Sequence, residues 1–146
     1  MTTRAEIIRV ARSMMGTPYH HLARIPHVGL DCAGLLVCVA RECGIVAPDF
    51  DTPTYPVNPD GFSLVAGMDQ WMGGQVSRDK MQAGDAIVVR SVKHPQHLAI
   101  LGDYIGGGLT IIHASNNVVP ARVVEHRLVF ARGIEFVAAY KFSGVV

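Results

Sequence analysis

Three cysteines, Cys32, Cys38 and Cys43, and seven histidines are the side chains of this 146-residue sequence best suited to nucleophilic chemistry. Among the cysteines, Cys32 has the setting that a thiolate needs. It follows Asp31, a good N-cap residue, and opens the apolar stretch Cys32-Ala33-Gly34-Leu35-Leu36-Val37-Cys38-Val39-Ala40, which predicts a buried helix. The dipole and free N–H groups at such a helix start favour an anionic sulfur, and they can also stabilise an oxyanion on a carbonyl under attack. Gly34 is expected to leave room for a substrate at that turn. Cys38 and Cys43 fall deeper in the same helix and lack this setting. On position alone, Cys32 serves equally well as a small buried hydrophobe, so the choice rests on finding a base for it.

His97 is the base that sequence context favours. It opens the run His97-Leu98-Ala99-Ile100-Leu101, so it should stand at the start of a strand, held by the sheet yet close to its rim. His113 ends the run Leu109-Thr110-Ile111-Ile112-His113. If these two runs form a hairpin, His97 and His113 lie at the same end of it, where His113 can orient the His97 ring as a third group. An isolated histidine at a strand end is more often an ordinary surface residue, so the pairing carries the reading. His20, His21 and His27 precede Cys32 and could line a substrate groove, and His126 is expected at the surface. His94 and His97 bracket Pro95 without a carboxylate at a familiar spacing, which is a poor metal set.

These residues need a scaffold, and the composition sets its limits. The length suits one domain spanning 1–146, with room for a sizeable core. With 49% hydrophobic and 17% charged residues, disorder is excluded, and a formal net charge of +1 gives no global basis for binding nucleic acid. No apolar run approaches the ~18–20 residues of a membrane span. The N-terminal residues lack the pattern of a secretory signal, so synthesis and folding in the cytoplasm are expected. Three cysteines without a CxxC pair make neither a disulfide framework nor a structural zinc site.

Thr3-Arg4-Ala5-Glu6 is a capping box for a first helix that ends at Gly16 and Pro18. A loop should cover 17–30, then the Cys32 helix, stopped by Gly44. Residues 47–61 hold four of the eight prolines and predict an irregular surface segment. Asp60 can cap a short helix carrying Leu64, Val65, Met68 and Trp71. Strands are expected over 86–89, 98–101, 109–113, 118–124 and 136–142, with Pro120 weakening the fourth. Helices followed by strands predict an α+β fold with a mostly antiparallel sheet of about five strands.

Taken in order, Gly16-Thr17-Pro18-Tyr19, Asp31-Cys32-Ala33-Gly34-Leu35, Gly84-Asp85, His97-Leu98-Ala99-Ile100 and Ile112-His113-Ala114 resemble the NlpC-type cell-wall peptidases. These are papain-like cysteine endopeptidases, and the resemblance runs from about residue 5 to about residue 142. It implies a papain-like fold with the nucleophile helix packed on the sheet, Cys32 as nucleophile, His97 as base and His113 as orienting residue. It implies Tyr19 beside the nucleophile at the oxyanion site, Asp31 as a structural cap, and no cofactor or metal. The implied substrate is the peptide stem of bacterial peptidoglycan. The segment Tyr55-Pro56-Val57-Asn58-Pro59-Asp60-Gly61, the later Gly84-Asp85 and Val123-Val124-Glu125-His126-Arg127-Leu128 resemble single-domain members encoded with phage tails. That implies phage tail proteins as partners and delivery in a virion. Two departures stand out: Ile25-Pro26-His27-Val28-Gly29 is poorer in glycine than the family's usual approach to the nucleophile, and Ala33 stands where serine is common.

The expected reaction is therefore hydrolysis of a stem-peptide amide through a thioester. Three alternatives share the sequence: a papain-like amidase or acyltransferase with another substrate, a non-catalytic or partner-activated tail component, and a histidine-rich metal binder.

Overall fold

The computed structural model describes residues 2–52, 60, 62–91, 96–130 and 134–146. The expected segment at Tyr55–Pro59 and Gly61, together with His94 and Pro95, lies outside them.

Helix α1 (Arg4–Ser13) begins where the sequence places it: Thr3 Oγ1 accepts the Glu6 N–H at 3.1 Å. The box is half made, because the Glu6 carboxylate turns outward to Arg9. Helix α2 (Cys32–Glu42) is capped by Asp31 and buries all nine residues from Cys32 to Ala40. Helix α3 (Ser63–Trp71) takes its start from the Asp60 carboxylate, which accepts the N–H groups of Phe62 and Ser63. Only its Met68 is fully buried, so α3 is a cover rather than a core helix.

Among the described residues, eight strands follow these helices or lie between them. A hairpin of β1 (Arg24–Ile25) and β2 (Gly29–Leu30) falls within the expected loop. The main sheet comprises β3 (Gln75–Val76), β4 (Ala86–Arg90), β5 (His97–Asp103), β6 (Leu109–Ser115), β7 (Arg122–Arg127) and β8 (Glu135–Tyr140). Its order is β3-β8-β4-β5-β6-β7, with every pairing antiparallel. The sheet thus has six strands rather than about five, because the two-residue β3 is too short to leave a pattern. Strand β7 begins later than expected: 116–120 form bends that end at Pro120, which has no N–H to give a ladder. It continues instead through Glu125, His126 and Arg127, whose polar character hid it.

Both faces of the sheet are covered, which explains why β4 is an unbroken apolar run. On one face Val88, Leu98, Ile100, Ile112 and Ala138 pack under α1 and α2, against Ile7, Ala11, Leu35 and Val39. On the other face Ile87, Val89, Ala99, Leu101 and Ile111 pack under Phe130, Ile134 and Phe136. Gly84 serves the first of these contacts. A Cβ there would lie 2.6 Å from the Arg4 Cβ, and the close approach lets Arg4 pair with the fully buried Asp85.

Candidate active site

Cys32 is the first residue of α2, and its position depends on Asp31. One Asp31 oxygen accepts the Gly34 N–H at 2.7 Å and an Arg24 N–H at 3.0 Å, while the other accepts the Leu22 N–H at 2.7 Å. The carboxylate therefore caps the helix and pins the preceding chain against it. Arg24 is shared with Asp51 at 2.9 Å. Gly34 is glycine because of this packing and not to admit a substrate. A Cβ there would sit 2.4 Å from the Ala23 carbonyl oxygen and 3.0 Å from an Arg24 nitrogen.

The Cys32 side chain is nearly covered, with 8% exposure. Burial pushes its thiol up to about 12, and the Asp31 charge adds to this. Opposing them are the nearby backbone N–H groups of Leu98 and Ala33 and the Arg24 charge. The Leu98 contact locates the sulfur. Strands β5 and β6 pair from Ile100↔Ile112 to Asp103↔Leu109. The Leu98 N–H lies beyond the last of these pairs and close enough to Cys32 to favour its thiolate, which places the sulfur beside the residue after His97.

The expected hairpin forms, and its histidines meet. His97 Nε2 and His113 Nδ1 are 2.8 Å apart, with their rings nearly perpendicular. His113 is 8% exposed, and burial, helped by the neighbouring His126, pulls its pKa down to about 4, so it is neutral at neutral pH. His126 is exposed as expected, but it is not isolated: its Nε2 lies 2.8 Å from His113 Nε2. Sequence reasoning missed that contact because His113 pairs directly with Val124, and His126 reaches it as the diagonal neighbour. Only the register reveals it. The three rings run in a line, nitrogen to nitrogen, and among the described residues no three His, Cys, Asp or Glu groups converge as a metal set.

Tyr19 lies beside the residues that lead into Cys32. It bridges Leu30, whose N–H bonds Pro18 O at 3.0 Å and whose carbonyl accepts the His20 N–H at 3.1 Å. Burial, with the nearby Cys32 and Asp31, pushes its phenol up to about 12, so it keeps a proton to donate. His21 comes within 3.9 Å of Asp31, and the His27 N–H bonds the buried Thr17 hydroxyl at 2.9 Å. In these contacts His21 and His27 belong to the strap around α2.

A cavity of about 200 Å³ opens next to the start of α2, between Ala33 and Leu98 on one side and Leu64, Met68 and Trp71 of α3 on the other. Its position is tied to His97 by a residue the sequence did not single out. Gln96 Oε1 accepts the N–H groups of Leu64 and Val65 at 3.0 and 3.2 Å, joining the start of α3 to the start of β5. The buried Thr52 hydroxyl at the cavity wall has no hydrogen-bond partner among the described residues.

Among solved structures, the chain superimposes on the NlpC/p60 domain of the peptidoglycan hydrolase SagA, with a TM-score of 0.62 at 22% identity, covering 97% of this chain and 100% of that one. It also matches NlpC2 from Trichomonas vaginalis, with a TM-score of 0.64 at 16% identity, covering 97% of this chain and 47% of the other. A lipoprotein-like NLP/P60 protein from Staphylococcus aureus gives a TM-score of 0.59 at 20% identity, over 95% of this chain and 41% of the other. No curated protein matches. At these identities the structures speak to fold, which is that of NlpC/P60 domains. The NlpC/P60 family model matches residues 16–136, from the glycine before Thr17-Pro18-Tyr19 to β8, and the chain belongs to the NlpC/P60 family.

Proposed function

We propose that the chain is a cysteine peptidase that hydrolyses an amide bond in the peptide stems of bacterial peptidoglycan. The observation that carries this is the position of Cys32: first residue of α2, its sulfur near the Ala33 and Leu98 N–H groups, with Leu98 following a His97 that is hydrogen-bonded to His113. Family membership and the peptidoglycan hydrolase named among the structural neighbours support the substrate class.

In this reading His97 takes the Cys32 proton, and the thiolate attacks the amide carbonyl. The oxyanion falls to N–H groups at the start of α2, with Tyr19 as a further donor. The His97 imidazolium then protonates the leaving amine, and water hydrolyses the thioester by the reverse route. Delivery in a phage tail is part of the proposal and is supported by the sequence resemblance.

Purified peptidoglycan and its soluble stem peptides, digested with the wild type and Cys32→Ala, test the substrate class. Mass spectrometry should show new amino termini within the stem for the wild type alone. Cleavage by both proteins, or by neither, counts against the proposal. A second reading, activation by a partner, is favoured by the near-complete burial of Cys32. It predicts more wall digestion by assembled particles than by the isolated chain, and equal activity would count against it.

A further inference from the structure

His126 lies outside every role assigned so far, yet its ring continues the row of imidazoles. His97 Nε2 meets His113 Nδ1 at 2.8 Å, His113 Nε2 meets His126 Nε2 at 2.8 Å, and His126 Nδ1 lies 3.1 Å from the Arg127 carbonyl oxygen. Successive rings are turned by 81° and 80°, with centroids 4.9 Å apart in both pairs.

The last contact fixes the direction of the whole row. A carbonyl oxygen only accepts, so His126 Nδ1 must carry hydrogen. A neutral imidazole has one N–H, so His126 Nε2 accepts, and the donor is His113 Nε2. His113 Nδ1 is then an acceptor for His97 Nε2–H. His97 Nδ1, at the far end of the row, is then the ring nitrogen without hydrogen. Burial of His113 keeps the middle ring neutral, so the row cannot be scrambled there by a second proton at neutral pH.

We infer that His126 is a positioning residue: through His113, and anchored on the Arg127 carbonyl, it sets the His97 tautomer that leaves Nδ1 as the base. This rests on the proposed role of His97, but the tautomer assignment can be tested without it. Without His126, the His113 Nε2–H loses its acceptor, and both tautomers of His113, and hence of His97, become accessible.

The test is ¹⁵N side-chain NMR of the full chain, which distinguishes Nδ1–H from Nε2–H imidazoles, joined to iodoacetamide labelling of Cys32. The wild type should show Nε2–H for His97 and His113 and Nδ1–H for His126. His126→Phe should give mixed tautomers at His97 and His113 and slow Cys32 labelling about tenfold, less than the ~10²-fold or more expected for loss of the base itself. His126→Gln, whose amide oxygen can accept from His113, should restore both readouts. A wild-type His97 in the Nδ1–H form, or a Phe variant with unchanged tautomers, overturns the inference. If the tautomers follow His126 but wild-type Cys32 does not react, the positioning role stands and the peptidase reading falls.

Discussion

Replacing Asp31 with alanine should cost more stability than any other single change near the site, although Asp31 touches no reacting atom. Its side chain is 1% exposed, and that of its partner Arg24 is 10% exposed. Loss of an N-cap costs about 1 kcal/mol. Stranding one partner of a buried ion pair costs about 3–5 kcal/mol, and Asp51 reduces this by holding the same guanidinium. The Leu22 N–H also loses its acceptor, at a small cost because Leu22 is exposed and water can replace it. These losses share one network and do not add fully, which gives about 4 kcal/mol in all. With a urea slope of about 2 kcal/mol/M, the midpoint should fall by about 2 M. Arg24→Met in the Asp31→Ala background should recover part of the loss, since it removes the stranded charge. Urea denaturation followed by circular dichroism reads both variants. A fall of less than about 0.5 M for Asp31→Ala, or no recovery in the double variant, would refute the view that Asp31 organises the strap through Arg24.

Gly34→Ala should destabilise by about 2–3 kcal/mol through overpacking against the Ala23 carbonyl, and a variant as stable as the wild type in the same assay would free that turn for another role. The pH dependence of stability should carry the mark of His113. Its folded pKa of about 4 lies below the ordinary 6.5, so the unfolded chain binds more protons between those values, and stability falls as pH drops through that window. The full loss is worth about 3 kcal/mol, and His113→Gln should flatten that part of the profile in urea titrations from pH 7 to pH 4; an unchanged profile would contradict the burial argument. Tyr19→Phe should lower kcat on stem peptides about 10²–10³-fold, as expected for a lost oxyanion donor, and unchanged turnover would remove Tyr19 from that role.

The helix that presents Cys32 was legible because its signals agree: a capping Asp31, an apolar run and Gly44. Strands β5 and β6 were legible as apolar runs around Gly106-Gly107-Gly108. The β1–β2 hairpin was not, because it has two residues per strand and is shaped by Leu22 and His27 at φ values of 62° and 69°, which no local pattern announces. Strand β7 was displaced in the sequence reading because apolar runs marked its start, while the sheet continues along a polar stretch. Gly34 was assigned to substrate access, whereas the space beside it is filled by Ala23 and Arg24. The roles of Gln96 and His126 depend on contacts 31 and 13 residues away along the chain, and such pairings exist only once the sheet register is set.

The central claim is that Cys32 and His97 act as a nucleophile and its base. Alkylation of the three cysteines across pH, read peptide by peptide in the wild type and in His97→Ala, tests it without knowledge of the substrate. Burial, with the Asp31 charge, pushes the Cys32 thiol up to about 12, so without a base it should label more slowly than a free cysteine. The account predicts the reverse in the wild type: Cys32 labels fastest, down to pH values well below the ~8.5 of a free thiol, and His97→Ala slows it about 10²-fold or more. A Cys32 that labels slowly in both proteins, gaining only at high pH, would show that no proton passes to His97 and would contradict the account.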